Sequence, residues 1–276
     1  MSLWEKLLLK HDYNPLPNKK WLIYTCNIGG YDDFKGFADS LNIDLIEKNL
    51  CSINDIDFRI YVDVDSKQHE LKYKNWEIIK VPFIKSKFEE KDSYLTSRKY
   101  KLSIDHIYTE YYNSLYIDCN CRLNSAKIFN VLSRFEKRNA TNHKNIINDT
   151  VDMMGLKHTK HQDYDSEANH AGGRLSQHRK DIISNQRNFY NKSKDSNKIK
   201  TMPFITGRFL VRKHTPSIKE LCNFWYGQAE KWTHRDQVSW QYAYHKKGLG
   251  KISLDMISDS VILNSRDLNP GKHQKK

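Results

Sequence analysis

An acidic residue and an amide end an apolar run near the middle of the chain. Residues 115–117 are apolar, Asp118 follows them directly, and Asn120 lies two residues further on. Carboxylate and amide oxygens are hard ligands of the kind that Mg²⁺ and Mn²⁺ prefer. In an open α/β sheet, ligands bind at the carboxyl ends of the strands. We therefore predict a divalent-cation site at Asp118 and Asn120, on the loop after a buried strand.

Two glycines follow the first apolar run of the chain. Residues 21–26 are typical of a strand buried on both faces, and Gly29 and Gly30 come just after it. Glycine lets the backbone turn tightly and approach a ligand, although a plain turn is the alternative. The next predicted strand, 57–63, ends at Asp63, which we expect near a nucleobase or ribose, with a solvated turn as the alternative.

Two cations three residues apart, Arg98 and Lys101, precede the strand that carries Asp118. The apolar spacing predicts a helix over 97–108, with both cations on one face near its N-terminus. Backbone donors at a helix N-terminus and two cations together would form an anion site. An ordinary solvated helix face is the alternative.

Further polar residues follow a short apolar strand over 151–156. Lys157 and His158 come at its end, and His158 and His161 have a His-x-x-His spacing without a cysteine pair. This spacing does not match the common zinc motifs. Contact of Lys157 and His158 with a phosphate or a sugar hydroxyl is favoured over zinc binding, and a merely polar loop is the alternative.

The last candidate group, Arg235-Asp236-Gln237, begins a predicted helix over 234–244. An aspartate in the first turn is expected from the helix dipole alone. A carboxylate and an amide at the start of an aromatic helix can also enter a sugar pocket. There, Asp236 could act as a base or orient the hydroxyls of an acceptor.

The order of predicted elements indicates how these residues are positioned. Strand, glycine loop, strand, strand, helix and strand alternate in a way that favours an α/β fold with a mostly parallel sheet flanked by helices. Further helices are predicted over 125–138, 179–190 and 221–232, and an apolar strand over 204–211. We expect a helix and connector over 1–20, one domain over 21–263 with halves at about 21–123 and 124–263, and a basic tail over 264–276.

Composition limits the class of protein. The 276 residues carry 46 Lys and Arg against 33 Asp and Glu, a net charge of +13 that favours an anionic partner. The basic residues are scattered, so nucleic acid is less favoured than a phosphorylated small molecule. Five dispersed cysteines indicate reduced thiols rather than a disulfide framework. With no apolar run of about 18 residues and no secretory signal, we expect no membrane span and a cytoplasmic location.

Taken in order, the motifs resemble the glycosyltransferase-like family of plant mucilage-related proteins, proteins described as ceramidases, and bacterial and viral polysaccharide loci. The resemblance covers residues 21–245. The segments that carry it are 24–32, Arg98-x-x-Lys101, Tyr116-Ile-Asp-Cys-Asn120, Leu156-Lys-His158 with Glu167, Arg212-Lys-His214 and Arg235-Asp-Gln237.

The resemblance implies a GT-A-like fold and a role for each group. Asp118 and Asn120 would occupy the Asp-x-Asp metal position, although Asn120 replaces the second carboxylate. Arg98 and Lys101 would neutralise donor phosphates. The donor nucleotide would also contact the end of the first strand and the loop after it, through Thr25, Gly29, Gly30 and Tyr31. Asp236 and Gln237 match an Arg-Asp-Gln motif, and Glu167 and Arg235 would line the acceptor or sugar pocket.

The leading hypothesis is a glycosyltransferase assisted by Mn²⁺ or Mg²⁺. It would move a sugar from a nucleoside-diphosphate sugar, with a UDP-sugar expected, to a glycan or another hydroxyl acceptor. The many Asn, Lys, Ile and Tyr residues are compatible with a viral or bacterial source and with polysaccharide biosynthesis. The alternatives are a basic nucleic-acid-binding accessory protein and a non-catalytic glycan-binding relative.

Overall fold

The computed structural model describes residues 19–41, 56–66, 75–85, 92–140, 150–172, 176–258 and 262–263. The predicted N-terminal helix and connector lie outside these residues except for 19 and 20. The predicted basic tail over 264–276 lies wholly outside them.

A seven-stranded sheet forms the centre of the fold, in the order β3-β2-β1-β4-β7-β6-β8. A two-stranded sheet pairs β5 with β9. The strands are β1 (Lys19–Cys26), β2 (Ile56–Asp63), β3 (Trp76–Val81), β4 (Tyr111–Ile117), β5 (Arg122–Leu123), β6 (Met153–Lys157), β7 (Ile205–Lys213), β8 (Leu254–Ile257) and β9 (Ile262–Leu263).

The prediction of a mostly parallel α/β sheet is confirmed. Strand β1 runs parallel to β2 and β4, β2 is parallel to β3, and β6 is parallel to β8. Strand β7 is the exception, because it lies antiparallel between β4 and β6. The beginning of β7 therefore lies beside the end of β4, where the Asp118 backbone N–H donates to the Arg208 carbonyl at 2.9 Å.

Helices flank this sheet. They are α1 (Phe34–Ser40), α2 (Asp92–Leu102), α3 (Ser125–Ala140), α4 (Tyr164–Gly172), α5 (Gln177–Asn191), α6 (Ser196–Lys200), α7 (Pro216–Lys231) and α8 (Asp236–Ala243), which continues into a π-helical turn, Tyr244–Gly248. Within the described residues, no helix combines the length and apolar character needed to cross a membrane.

The position of β1 inside the sheet explains why its sequence is continuously apolar. Trp21 and Ile23 pack into the core on one face of the sheet, and Leu22 and Tyr24 pack into the core on the other face. All four side chains are at most 1% exposed. A strand covered by helices on both faces has no solvent side, so the alternation typical of a half-exposed strand is absent.

The helix predicted over 97–108 is wrong in its bounds. Helix α2 begins at Asp92 and ends at Leu102, so Arg98 and Lys101 lie in its last turns and not at its N-terminus. Arg212 of β7 accounts for this end, because its Nη1 donates to the carbonyls of Lys101 and Leu102 at 3.0 and 3.2 Å. Carbonyls in the last turn of a helix need such outside donors.

Helix α4 was not predicted, because its segment looked like a polar loop. Its buried residues Tyr164, Ala168 and Ala171 lie on one stripe, but two of them are small. Asp163 caps the helix, since its Oδ1 accepts from the backbone N–H of Ser166 at 2.8 Å. This helix carries Glu167 in its first turn.

Candidate active site

A cavity of about 390 Å³ lies at the carboxyl end of β4. Its walls come from the loops after β4 and β6, the first residues of β7, the last turns of α2, and the first turns of α4 and α8. The lining residues are Arg98, Lys101, Asp118, Asn120, His158, Thr159, Lys160, His161, Glu167, His170, Thr206, Gly207, Arg208, Arg235, Asp236 and Gln237.

Lys101 joins two carboxylates at the base of this cavity. Its Nζ lies 3.3 Å from Asp118 Oδ1 and 2.7 Å from Asp236 Oδ2. The Lys101 side chain is only 3% exposed, so these ion pairs are largely shielded from water. Tyr116 donates its hydroxyl to Asp118 Oδ1 at 2.8 Å. The two carboxylates, which are distant in sequence, are therefore fixed by one ammonium group.

Arg98 supports the same arrangement from the neighbouring turn of α2. Its Nε donates to the His234 carbonyl at 2.7 Å and lies 3.4 Å from Asp236 Oδ1. Burial would raise the pKa of the Asp236 carboxyl, but the charges of Arg98 and Lys101 outweigh burial and hold that pKa well below its usual range. Asp236 is therefore ionised throughout the physiological pH range.

These contacts correct the interpretation of Arg98 and Lys101 as an anion site at a helix N-terminus. The free backbone donors of α2 lie near Asp92, two turns away from both cations. Instead of facing solvent, Arg98 and Lys101 face the carboxylates of the cavity.

A second group of lining residues surrounds Glu167. The Oε2 atom of Glu167 lies 3.6 Å from Nε2 of His158 and 3.6 Å from Nε2 of His161. Burial raises the pKa of Glu167 to about 7; the charge of Arg235 opposes this rise and that of Asp236 adds to it. The cavity thus contains one carboxyl group that titrates near neutral pH and one that stays ionised.

The lining has an excess of positive charge. Its cations are Arg98, Lys101, Lys160, Arg208 and Arg235, against three carboxylates. The Nε of Arg235 is buried and has no hydrogen-bond partner among the described residues. Such a surplus favours an anionic ligand.

The structure brings together nine of the residues that we predicted from the sequence as site residues. Arg98, Lys101, Asp118, Asn120, His158, Glu167, Arg235, Asp236 and Gln237 all line the cavity. Six others are absent from its lining, namely Thr25, Gly29, Gly30, Tyr31, Asp63 and Lys157.

The glycine loop after β1 is held by Asp63. Gly29 and Gly30 have φ angles of +82° and +63°, which side-chain-bearing residues rarely adopt. The backbone N–H of Gly29 donates to Asp63 Oδ2 at 2.7 Å, and the ring of Tyr31 stacks on Tyr94 at 6.2 Å. Asp63 therefore fixes this loop, and its contact with a nucleotide stays a prediction.

Several lining residues were not predicted as site residues, including Thr206, Gly207 and Arg208 at the beginning of β7. A glycine inside an apolar strand is a signal for close approach of another group, and Gly207 meets that description. Arg208 is an exposed charge between buried strand residues. Both signals become interpretable only when the antiparallel position of β7 is known.

Asp118 and Asn120 could contribute to a metal site but cannot form one alone. Within the described part of the chain, no group of three or more His, Cys, Asp or Glu residues could hold a metal ion. One carboxylate and one amide suit Mg²⁺ or Mn²⁺ when phosphate oxygens and water supply the remaining ligands. The chemistry of this donor pair therefore fits a cation that arrives with a phosphorylated ligand.

Comparison with known proteins identifies the family. A family model described as TOD1/MUCI70, glycosyltransferase-like domain, matches residues 8–266. The chain belongs to the TOD1/MUCI70 family. Membership in the TOD1/MUCI70 family confirms the predicted resemblance and the prediction of a glycosyltransferase. A search of curated proteins found no match.

Solved structures are also similar to this TOD1/MUCI70 chain, and some of them are glycosyltransferases by title. They include galactosyltransferase LgtC in complex with donor and acceptor sugar analogues, at 10% identity and a TM-score of 0.37, over 79% of this chain and 68% of that chain. Mouse xyloside xylosyltransferase 1 has 9% identity and a TM-score of 0.41, over 87% and 84%. Residues 1–349 of S. aureus TarS have 9% identity and a TM-score of 0.41, over 88% and 59%.

Proposed function

We propose that the cavity binds a nucleoside-diphosphate sugar, with a UDP-sugar as the expected donor, and transfers its sugar to a hydroxyl group of a glycan or similar acceptor. The observation that carries this proposal is the Asp118–Lys101–Asp236 arrangement at the base of a cation-rich cavity. Family membership indicates glycosyl transfer, and the Asp118–Lys101–Asp236 arrangement indicates which residues would take part in it.

Sugar hydroxyls need both acceptors and donors of hydrogen bonds. Asp236 stays ionised because Arg98 and Lys101 lie beside it, so its oxygens accept from hydroxyl groups at any physiological pH. The Lys101 ammonium donates from the same place. We assign Asp236 and Lys101 to the transferred sugar, and Gln237 and Arg235 to its surroundings.

The diphosphate requires positive charge that is not already neutralised. Arg98 and Lys101 are engaged with carboxylates, which makes them less suited to this role than the resemblance implies. Arg208 and Lys160 are exposed cations of the same cavity. We therefore propose that Arg208, with Arg235 and Lys160, neutralises the charge that develops on the leaving diphosphate.

A divalent cation would be held by Asp118 and Asn120 together with the diphosphate. When bound, Mn²⁺ or Mg²⁺ supplies Lewis-acid stabilisation of the leaving group. Lys101 and the Tyr116 hydroxyl contact Asp118 Oδ1 and orient the carboxylate for this role.

Calorimetric titration with UDP-, GDP- and CMP-sugars, with and without Mn²⁺, tests the proposal. At least one nucleotide sugar should bind, and Arg208→Ala should weaken its binding. Arg134→Ala is a suitable control, because Arg134 lies outside the cavity and pairs with Asp255. If no nucleotide sugar binds under any metal condition, the proposal is wrong, and salt-dependent binding of oligonucleotides would then favour the nucleic-acid alternative.

A further inference from the structure

The three carboxylates of the cavity have different surroundings. Asp118 and Asp236 both contact the Lys101 ammonium, and Asp236 also lies beside Arg98. A carboxylate held ionised by two cations binds protons weakly, so Asp236 is a poor acceptor for the proton of a hydroxyl group. Asp236 is therefore less suited to act as a base than to orient the hydroxyl groups of an acceptor, the other role that we considered from the sequence.

Glu167 is the carboxylate without such cations. Among the described residues, no lysine or arginine nitrogen lies within 4.0 Å of it, and its contacts are to the imidazoles of His158 and His161. The Glu167 side chain is 5% exposed and lines the same cavity as Asp236. Both imidazoles approach the same oxygen, Oε2, and neither contact uses Oε1.

Charged groups face α4 from each helix packed against it. From α8, Arg235 and Asp236 act on Glu167 in opposite directions, and burial is the larger effect, raising the pKa of Glu167 to about 7. From α5, Arg187 bonds to Asp165 and Asn169 instead, and from α6, Lys200 bonds to Asp165. Since a base works best when its pKa lies near the working pH, Glu167 has the proton affinity that Asp236 lacks.

His158 is held so that its N–H faces Glu167. Its Nδ1 accepts from the backbone N–H groups of Lys160 and His161 at 3.2 and 2.9 Å, and its ring stacks on Phe204 at 5.0 Å. With Nδ1 as an acceptor, the proton of the neutral ring resides on Nε2, the atom nearest to Glu167. Burial lowers the pKa of His158 to about 4, so the ring is neutral near pH 7.

We propose that Glu167 is the catalytic base that takes the proton from the acceptor hydroxyl, and that His158 is a positioning residue that orients its carboxylate. The hydroxyl oxygen forms a bond to the anomeric carbon of the donor, while the bond from that carbon to the diphosphate oxygen breaks. The nucleoside diphosphate leaves with the electron pair, and Glu167 releases the proton to solvent. This role rests on the proposed function.

The test is the pH profile of kcat/KM for transfer in Glu167→Gln. In the wild type, kcat/KM should rise to a plateau with a midpoint near 7, the pKa of Glu167. Glu167→Gln should reduce the plateau by at least about 100-fold and abolish this rise. Glu230→Gln, which changes an exposed glutamate outside the cavity, should leave the profile unchanged.

Donor binding separates a failure of this inference from a failure of the proposed function. Glu167→Gln should bind the nucleotide sugar with wild-type affinity, which also demonstrates folding. If Glu167→Gln does not fold, Glu167→Asp should retain a rise with pH but at a lower kcat. His158→Asn should lower kcat more than it changes KM.

Two results would overturn the inference while leaving the proposed function intact. One is a kcat/KM of Glu167→Gln equal to that of the wild type. The other is a reduced kcat/KM in Glu167→Gln that still rises with pH, with a midpoint near 7. If the wild type binds no nucleotide sugar, both proposals fail together.

Discussion

Gly207 lies against Asp236 so closely that a methyl group at Gly207 would overlap Oδ2 of that carboxylate. The same added Cβ would lie 2.9 Å from Nζ of Lys101. Strand β7 thus leaves room at this one position for an ion pair between two helices. The absence of a side chain at Gly207 is a condition for the Lys101–Asp236 contact.

Gly207→Ala should displace this ion pair and impair transfer. A misplacement of about 1 Å in a catalytic group costs about 100-fold in rate, and we expect a loss of that order in kcat/KM. Overpacking should also lower the free energy of unfolding by about 1–3 kcal/mol. Steady-state kinetics and urea unfolding measure the two effects.

Gly227→Ala is the matched control for this substitution. Gly227 lies within α7, and a Cβ there meets nothing within 4 Å. Alanine should stabilise this helix by about 0.5–1 kcal/mol and leave the rate unchanged. Equal losses of activity in both variants would contradict the proposed role of Gly207.

Lys101→Met should destabilise the fold, because Asp118 and Asp236 would lose the ammonium group that neutralises them. Removing one partner of a buried ion pair costs about 3–5 kcal/mol, because the remaining charge is uncompensated. A double-mutant cycle with Asp236→Asn measures this effect. The double variant should be more stable than the sum of the two single losses predicts, since neither charge is then left alone.

The control for Lys101 is on the same helix. Lys99→Met removes an ammonium that lies 4.9 Å from the centre of the Tyr226 ring and does not line the cavity. Its effect on stability should be small and independent of Asp236. Strict additivity of Lys101→Met and Asp236→Asn would show that the ammonium does not compensate Asp236.

Glu167 should reduce the stability of the fold as the pH rises. Its pKa is about 7 in the folded chain against an ordinary value of 4.5, so the folded state holds the proton more tightly than the unfolded state. Below pH 4.5 both states are protonated and no penalty exists. The penalty grows between pH 4.5 and 7 and then stays constant at about 3 kcal/mol.

Urea unfolding of Glu167→Gln at pH 5 and pH 8 tests this linkage without any substrate. The stability of the variant relative to the wild type should increase by about 2–3 kcal/mol between the two pH values. Glu230→Gln should show no such increase, because Glu230 is exposed. A difference that is the same at both pH values would contradict the raised pKa of Glu167.

Asp118→Asn should weaken the dependence of nucleotide binding on the divalent cation. If Asp118 holds the cation, Mn²⁺ should increase the affinity of the wild type for a nucleoside diphosphate. Asp118→Asn should reduce this Mn²⁺-dependent increase in affinity by at least about tenfold. Asp236→Asn should retain the gain, because Asp236 contacts Lys101 and Arg98 rather than the proposed metal ligands. Calorimetry with and without Mn²⁺ distinguishes the two variants, and an equal gain in wild type and Asp118→Asn would contradict the metal assignment.

Local sequence patterns predicted most of the central sheet. Strand β1 is an almost continuous apolar run that precedes Asn27, and the apolar residues 115–117 of the neighbouring strand β4 precede Asp118. These apolar runs are retained because both strands are covered on both faces of the sheet at these residues. The same patterns located Asp118 and Asp236, since both stand where a regular element begins or ends.

The remainder depends on contacts between distant segments. The end of α2 is set by Arg212, which is about 110 residues further along the chain, and no periodicity within the helix reports that contact. Helix α4 buries small residues, which gives a weak apolar stripe, although Asp163 as an N-cap was a usable signal. The antiparallel direction of β7 is likewise a property of the sheet and not of its own residues.

The contact of Lys101 with both Asp118 and Asp236 has a consequence for the choice of sugar. One ammonium fixes both Asp118, the proposed metal ligand, and Asp236, the proposed acceptor for a sugar hydroxyl, before any ligand enters. Under these proposed roles, the position at which that hydroxyl group can be accepted is set in advance. An epimer turns one hydroxyl away from its acceptor and leaves buried polar groups unpaired. Sites of this kind reject such analogues by about 10⁴–10⁵-fold, a discrimination that the stereochemistry of a single carbon can decide.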